Sequence, residues 1–298
     1  MGLQDLIVFI YFLLFIMVLL WAALAYSLIY RYFRTKERIK IKMKVIDAIA
    51  LRFLDHKRAT YKMHWLRRYV QSKRQRWFIA GIFLKVNNVI TTLDDTSLKT
   101  MAADIGLTKV LSQDLKSLVW QKKAKALLFC YELGLTEHLK TITSYRNHSH
   151  ILIRREAQIA LVVLLGWKSL KLFPYITYPI SLWQQIRIIE KLKIYHPEPI
   201  EKFVILACQT ENPYVMELLV RIIRSFDLEH FKGYSIAQIE SPELFLAETA
   251  LETLQSFELN TLDVNQINLS LQRMGQSPFK LKVDAFISQH GNRLSQQL

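Results

Sequence analysis

Hydrophobic residues recur along this chain at helical rather than strand spacing. The clearest stretch is residues 153–166, IRREAQIALVVLLG, in which Ile153, Ala157, Ala160, Leu161 and Leu164 fall on one face of a helix. Val162, Val163 and Leu165 add apolar residues around the rest of the circumference, so this helix is expected to be covered on more than one side. The unit recurs. Helices read as beginning at Trp120, Ile153, Leu182, Val215, Leu246 and Phe279 stand 33, 29, 33, 31 and 33 residues apart. The fourth residue after each start is Ala124, Ala157, Ile186, Leu219, Ala250 or Val283, all apolar, and Glu190 is the single polar residue at the eighth. Pro179, Pro213, Pro242 and Pro278 each lie one to four residues before a start, where the ring suits a helix entry and would break an interior. Partner helices fit between them over 136–145, 167–173, 198–210, 229–239 and 264–274. A helix pair every thirty or so residues is the sequence mark of an α-solenoid. Ahead of the array, 77–92 reads as a short apolar helix, and 97–118 as two amphipathic pieces broken at Gly106.

The N-terminus follows a different pattern. Residues 6–30 form a run of 25 without a charge, about 37 Å as a helix, which exceeds the roughly 30 Å of a bilayer's hydrocarbon core. A cleaved signal peptide would have a shorter apolar region behind a basic start, whereas this run is long and preceded by MGLQD. Arg31, Arg34, Lys36, Arg38, Lys40, Lys42 and Lys44 follow it at once, and no Lys or Arg precedes it. The positive-inside rule then places the N-terminus outside and residues 31–298 in the cytoplasm of a single-pass protein of the cell (inner) membrane. Residues 39–72 keep apolar positions at helical spacing and read as a basic helix leaving the membrane. Its basic residues, with Arg67, Arg68, Arg74 and Arg76 as the lipid-facing candidates, either lie on anionic headgroups or only set topology. The expected organisation is therefore a membrane anchor over 1–31, a basic juxtamembrane helix over 32–75 and a helical repeat domain over 76–298.

Charge changes this picture in one respect. Residues 1–85 hold 17 Lys and Arg against 4 Asp and Glu, while residues 86–298 hold 23 against 21. The basic surplus is thus membrane-proximal, which makes a nucleic-acid partner unlikely for the array. The composition, with only 8 Gly and 7 Pro in 298 residues, suits an all-α chain. Cys130 and Cys208 lie far apart in apolar runs and suggest neither a disulfide framework nor a thiol metal site.

The stretch around Ile153-Arg154, with Ala157 and Leu161, resembles the second helix of a HEAT repeat, an aliphatic-Arg pair followed by Ala and Leu at helical spacing. As an architecture the resemblance covers about residues 76–298. It is degenerate elsewhere, since Trp183, Met216, Ala247 and Lys280 stand where the repeat's Arg would be. The resemblance implies one N-terminal transmembrane helix followed by a HEAT-like, armadillo-like α-solenoid, with second helices lining a concave side. Those helices carry Arg154, Arg155, Gln184, Gln185, Arg187, Arg221 and Arg224, a row suited to a partner's acidic segment, with Trp183 as an anchor beside it. A single span before such an array also resembles bacterial membrane proteins associated with cell-envelope polysaccharide synthesis.

Catalytic chemistry is not suggested. His148 and His150 form an HxH without a nearby carboxylate or thiol and read as the polar loop entering the helix at Ile153. No glycine-rich phosphate loop and no carboxylate pair in a hydrolase or transferase motif is present, so no cofactor, metal, small-molecule substrate or enzymatic role is expected. Two function classes fit. One is a membrane-anchored scaffold or adaptor for a protein partner, organising a complex such as an envelope glycosyltransferase. The other is a membrane-tethered nucleic-acid-binding protein of the HEAT-like type.

Overall fold

The computed structural model describes residues 2–54, 56–72, 75–89 and 95–295, and these are helical, with no strand among them. The chain divides between Val110 and Leu111 into two compact units.

The first unit begins with α1 (Leu3–Leu54), 52 residues or about 78 Å of unbroken helix. Its apolar run is uncovered by the rest of the protein and is long and apolar enough to cross a membrane. Beyond the run the same helix acquires a buried stripe at Ile41, Val45, Ala48 and Ile49, one face at helical spacing. That stripe is covered by α2 (His56–Gln71) and α3 (Arg76–Val89), which bring Leu66, Val70, Ile79, Ala80, Ile82 and Phe83 into the core. Residues 39–72, read as one helix, are therefore two. The chain reverses because the stripe on α1 needs cover that only a returning helix supplies. Lys44 sits over the Trp65 ring at 4.2 Å, Arg38 over Phe78 at 5.4 Å, and Gln75 Nε2 donates to Glu37 Oε1 at 2.5 Å. Trp65 on α2 thus meets Lys44, while Gln75 and Phe78, later in the chain, meet Glu37 and Arg38 earlier on α1, so the chain from α2 into α3 runs back along α1. Next, α4 (Asp95–Asp104) and α5 (Leu107–Leu115) meet at Gly106, whose φ of +76° is the turn that the break in the pattern marks.

The second unit contains α6 (Trp120–Glu132), α7 (Leu139–Ser144), α8 (Ile151–Leu165), α9 (Leu182–Tyr195), α10 (Glu201–Ala207), α11 (Pro213–Ser225), α12 (Lys232–Ala237), α13 (Leu244–Leu254), α14 (Thr261–Arg273) and α15 (Pro278–Ser295). A 3-10 stretch, Gly166–Tyr175, takes the partner position after α8. Helices α6, α8, α9, α11, α13 and α15 start 31, 31, 31, 31 and 34 residues apart, and each packs on the next in that order. The period is more regular than the apolar stripe alone suggests, because the stripe begins about half a turn inside α8, α11 and α13 but at the first residue of α6 and α9.

Entries and exits repeat as well. Asn212 Oδ1 accepts the Tyr214 amide ahead of Pro213 at the first helical position, Asn260 and Asp263 form a reciprocal capping box, and His150 Nδ1 accepts the Leu152 amide. At the exits of α6 and α11 the chain takes positive φ at Gly134 (61°) and Asp227 (53°). The following amides, Leu135 and Leu228, reach back to the Cys130 and Ile223 carbonyls in the same closing motif. Between these ends α8 is buried on several sides, at Ile153, Ala157, Ile159, Ala160, Leu161, Val162 and Val163, as its all-round apolar pattern requires. Trp167 is 2 % exposed, its Nε1 donating to the His196 carbonyl at 2.9 Å and its ring edge-on to Phe226.

Candidate interaction surface

Polar groups on α6, α8, α9, α11, α13 and α15 meet along one side of the second unit, and they bond mainly to one another. Lys191 Nζ on α9 lies 3.1 Å from Glu132 Oε1 on α6. Arg187 Nη1 stands 3.7 Å from Glu156 Oε1 on α8, while the buried Tyr131 hydroxyl on α6 donates to Glu156 Oε2 at 3.2 Å. Burial raises the Glu156 carboxyl above the ordinary value and outweighs the opposing pull of Arg187, the Tyr131 hydrogen bond and Arg155. The same burial, helped by the charges of Glu156 and Glu132, pushes the Tyr131 hydroxyl up.

The connections continue from α9 to α11 and α13. Gln184 Nε2 donates to Gln158 Oε1 on α8, and Gln158 Nε2 donates to the Arg146 carbonyl at 2.8 Å. Gln185 Nε2 donates to Glu217 Oε2 on α11 at 2.7 Å. Glu217 is 7 % exposed and also receives Arg221 at 2.8 Å, one helical turn along, and stands 3.4 Å from the Thr249 hydroxyl of α13, which donates to the Phe245 carbonyl at 2.9 Å. Arg221 in turn donates to Thr249 Oγ1 at 3.1 Å. Nearer the surface, Arg224 pairs with Glu252 at 3.2 Å, and Lys282 on α15 with Glu248 at 2.8 Å.

In this geometry most of the Arg and Gln row read as facing an acidic segment is engaged within the chain. Gln184 and Gln185 are buried, Arg154 is 8 % exposed and bonded to the His148 and Ser149 carbonyls, and Arg187, Arg221 and Arg224 have carboxylates of the same chain. Arg155 is half-buried, and its shielded Nε has no hydrogen-bond partner. The residues missed were the acceptors Glu156, Glu217 and Glu252. Glu217 with Arg221 carries a visible signal, the i,i+4 spacing, and the inter-helix pairs Gln185–Glu217, Arg221–Thr249, Arg224–Glu252 and Lys282–Glu248 are separated by nearly one period, 28 to 34 residues.

Trp183 stands apart. It is 61 % exposed at the start of α9, and Ile186 and Ile194 continue the same face with Glu190 between them. This stripe, at i, i+3, i+7 and i+11, is an uncovered apolar helix face. In the first unit Arg67 and Arg68 are exposed on α2 and Arg76 is half-buried at the start of α3, while Arg74 lies outside the described residues.

The remaining candidate chemistry is structural in form. His148 Nδ1 accepts the His150 amide at 3.0 Å, and the His150 ring stacks on Trp120 at 4.5 Å. Burial, then the charges of Lys123, His150 and Arg154, lowers the pKa of His148. Burial pushes the Cys130 and Cys208 thiols up to about 12, away from nucleophile range. Among the described residues no group of three or more His, Cys, Asp or Glu is placed to hold a metal. No protein-family model matches the chain, and no curated protein matches it.

Proposed function

We propose that the protein is a single-pass membrane scaffold whose second unit is a HEAT-like α-solenoid holding a protein partner in the cytoplasm. The observation that carries this reading is the α9 stripe of Trp183, Ile186 and Ile194, apolar and uncovered, beside arginines that pair with carboxylates of the same chain. Large side chains on one helix face are the anchors into which an amphipathic partner helix packs. Glu190 in the middle of the stripe selects a partner with a Lys or Arg between its apolar anchors, rather than an acidic segment. The α1 helix supports the anchoring role, and the Lys and Arg that follow its apolar run support an N-terminus outside and a cytoplasmic array. A membrane complex such as an envelope glycosyltransferase is the kind of assembly such a scaffold organises.

The test uses the full chain in its native membrane, with a photo-crosslinking residue at Ile186 or Ile194. A protein adduct is expected at both positions. Trp183→Ala should abolish it while changing stability by less than about 0.5 kcal/mol, since the side chain is mostly in water. Absence of an adduct, or an adduct indifferent to Trp183→Ala, would overturn the scaffold reading. A cytoplasm-active reporter fused after Leu298 should be active, and activity of a periplasmic one instead would overturn the topology.

A further inference from the structure

The charge of the second unit is divided along its length. Residues 111–189 hold eleven Lys and Arg against four Asp and Glu, whereas residues 190–298 hold ten against fourteen. The near-neutral total of the array conceals a basic N-terminal half and an acidic C-terminal half. At the N-terminal ends of α6 and α8 the basic half also exposes large apolar side chains. Leu118 is wholly exposed, Tyr175 64 %, Ile151 55 %, Val119 45 %, Trp120 38 % and Tyr178 37 %.

These side chains belong to one edge. Trp120 stacks on His150, the neighbour of Ile151. Arg154, bonded to the His148 and Ser149 carbonyls, lies 4.0 Å over the Tyr178 ring. Asn147 donates to the Tyr175 carbonyl at 2.7 Å and accepts the Thr177 amide at 3.2 Å. Lys116 and Lys122 are exposed beside the apolar residues, and Lys123 covers the Tyr145 ring at 4.7 Å. Between Asp114 and Glu132 there is no acidic residue. Between Glu137 and Glu190 there is only Glu156, which Tyr131 and Arg187 engage.

We infer that this edge, built from residues 118–120, Ile151, Tyr175 and Tyr178 with Lys116 and Lys122 beside them, docks on the anionic surface of the membrane. Trp and Tyr settle at the headgroup level, Leu and Ile reach the acyl boundary, and Lys pairs with anionic headgroups. A phosphate backbone would use the lysines and stack on the aromatics but leave Leu118 and Ile151 in water, so a bilayer fits the whole edge and a nucleic acid only part of it. The inference rests on the anchoring role proposed for α1, which confines the array near the bilayer and turns a weak surface contact into an intramolecular one. The acidic half, bearing the outer carboxylates, is then the part repelled from the same surface.

The experiment reconstitutes the full chain in liposomes of phosphatidylcholine, with or without phosphatidylglycerol, and attaches an environment-sensitive fluorophore through Leu118→Cys, Ile151→Cys, Leu262→Cys or Leu20→Cys. Cys130 and Cys208 are left in place, since burial keeps their thiols protonated. Quenching by a nitroxide-bearing lipid reads contact with the bilayer. Probes at Leu118 and Ile151 should be quenched in the anionic liposomes, less in the zwitterionic ones, and less again at high salt, while Leu262, exposed on α14 in the acidic half, stays unquenched. Lys116→Glu with Lys122→Glu should lower the quenched fraction, each reversal weakening surface binding by about fivefold or more, without shifting the thermal unfolding of these exposed positions. A quenched probe at Leu20 with Leu118 and Ile151 in water would overturn the docking and leave the anchor standing. A probe at Leu20 in water would overturn both. Binding of single-stranded RNA at physiological salt through Lys116 and Lys122, with Leu118 unquenched, would replace the lipid surface by a nucleic acid.

Discussion

Arg221→Glu is the substitution that separates an internal ladder from an open binding row. In the structure Arg221 joins Glu217 at 2.8 Å and Thr249 at 3.1 Å, with side chains 17 % and 9 % exposed for the Arg and the Glu. Glu217 also receives Gln185, so three helices converge on one carboxylate. Removing the partner of a buried charge costs about 3–5 kcal/mol, because the charge left behind has lost its compensation, and reversing the partner adds repulsion. A loss of at least about 3 kcal/mol is therefore expected, a large share of the 5–15 kcal/mol by which domains of this kind are stable. The same reversal at Arg224 breaks a pair whose members are 32 % and 57 % exposed and should cost no more than about 1 kcal/mol. Guanidinium unfolding of the full chain in detergent, followed by far-ultraviolet circular dichroism, reads both. With a slope of about 3 kcal/mol per molar, the Arg221→Glu midpoint falls by about 1 M and that of Arg224→Glu by about 0.3 M or less. Equal midpoints for Arg221→Glu and the unmodified protein, or a larger loss at Arg224, would refute the ladder.

Burial raises both thiols from the ordinary 9.0 to about 12, so at pH 8 their thiolate fraction drops to about one in ten thousand; a thiol reagent should titrate neither Cys130 nor Cys208 in the folded chain and both in guanidinium. Because the folded state holds these protons more tightly, their contribution to stability is fully present below pH 9 and falls as the pH rises toward 12, which an unfolding series across that range measures. Gly166→Ala should be more damaging than Gly106→Ala. Its backbone lies at φ 58°, ψ −139°, worth about 1–3 kcal/mol of strain for any other residue, and a Cβ would stand 2.8 Å from the His196 ring, which the Val163 carbonyl holds; at Gly106 the φ of +76° is the cost and the space is open. Thermal unfolding of the two variants in the full chain checks the order.

The helix entries of the second unit were legible because polarity and proline mark them. Trp120 and Leu182 begin α6 and α9 as the register expects, and Ile153, Val215 and Leu246 fall two residues inside helices that begin at Ile151, Pro213 and Leu244. Ile151 and Leu244, the first residues of α8 and α13, are exposed, and the buried face begins with Ile153 and Leu246. The hairpin of α1 with α2 was not legible, because basic residues interrupt the stripe on both helices and the covering partner follows after one residue. The polar ladder was half visible. An arginine facing water and an arginine facing a carboxylate one repeat away have the same local sequence, and only the period of 31 residues brings Gln185 to Glu217 and Arg187 to Glu156.

That period also bears on how the protein holds its shape. Helices α6, α8, α9, α11, α13 and α15 pack on one another in chain order, so each of these interfaces must fix its own register. Here the buried Arg154 is the one arginine at the position where the resemblance to HEAT repeats places it, and it serves its own entry loop rather than the next repeat. Register between neighbouring helices falls instead to Glu217, which receives Gln185 from α9 and holds Arg221 against Thr249 of α13, and to Glu156, which receives Tyr131 of α6 and Arg187 of α9. A carboxylate shared in this way makes sense only if the side of the array it occupies is not a surface for an acidic partner, since such a partner would compete with Glu156 and Glu217 for the same cations. Arginine reversals along the row therefore test the fold. Substitutions at Trp183 and Leu118, which touch no part of the ladder, test the partner and the membrane.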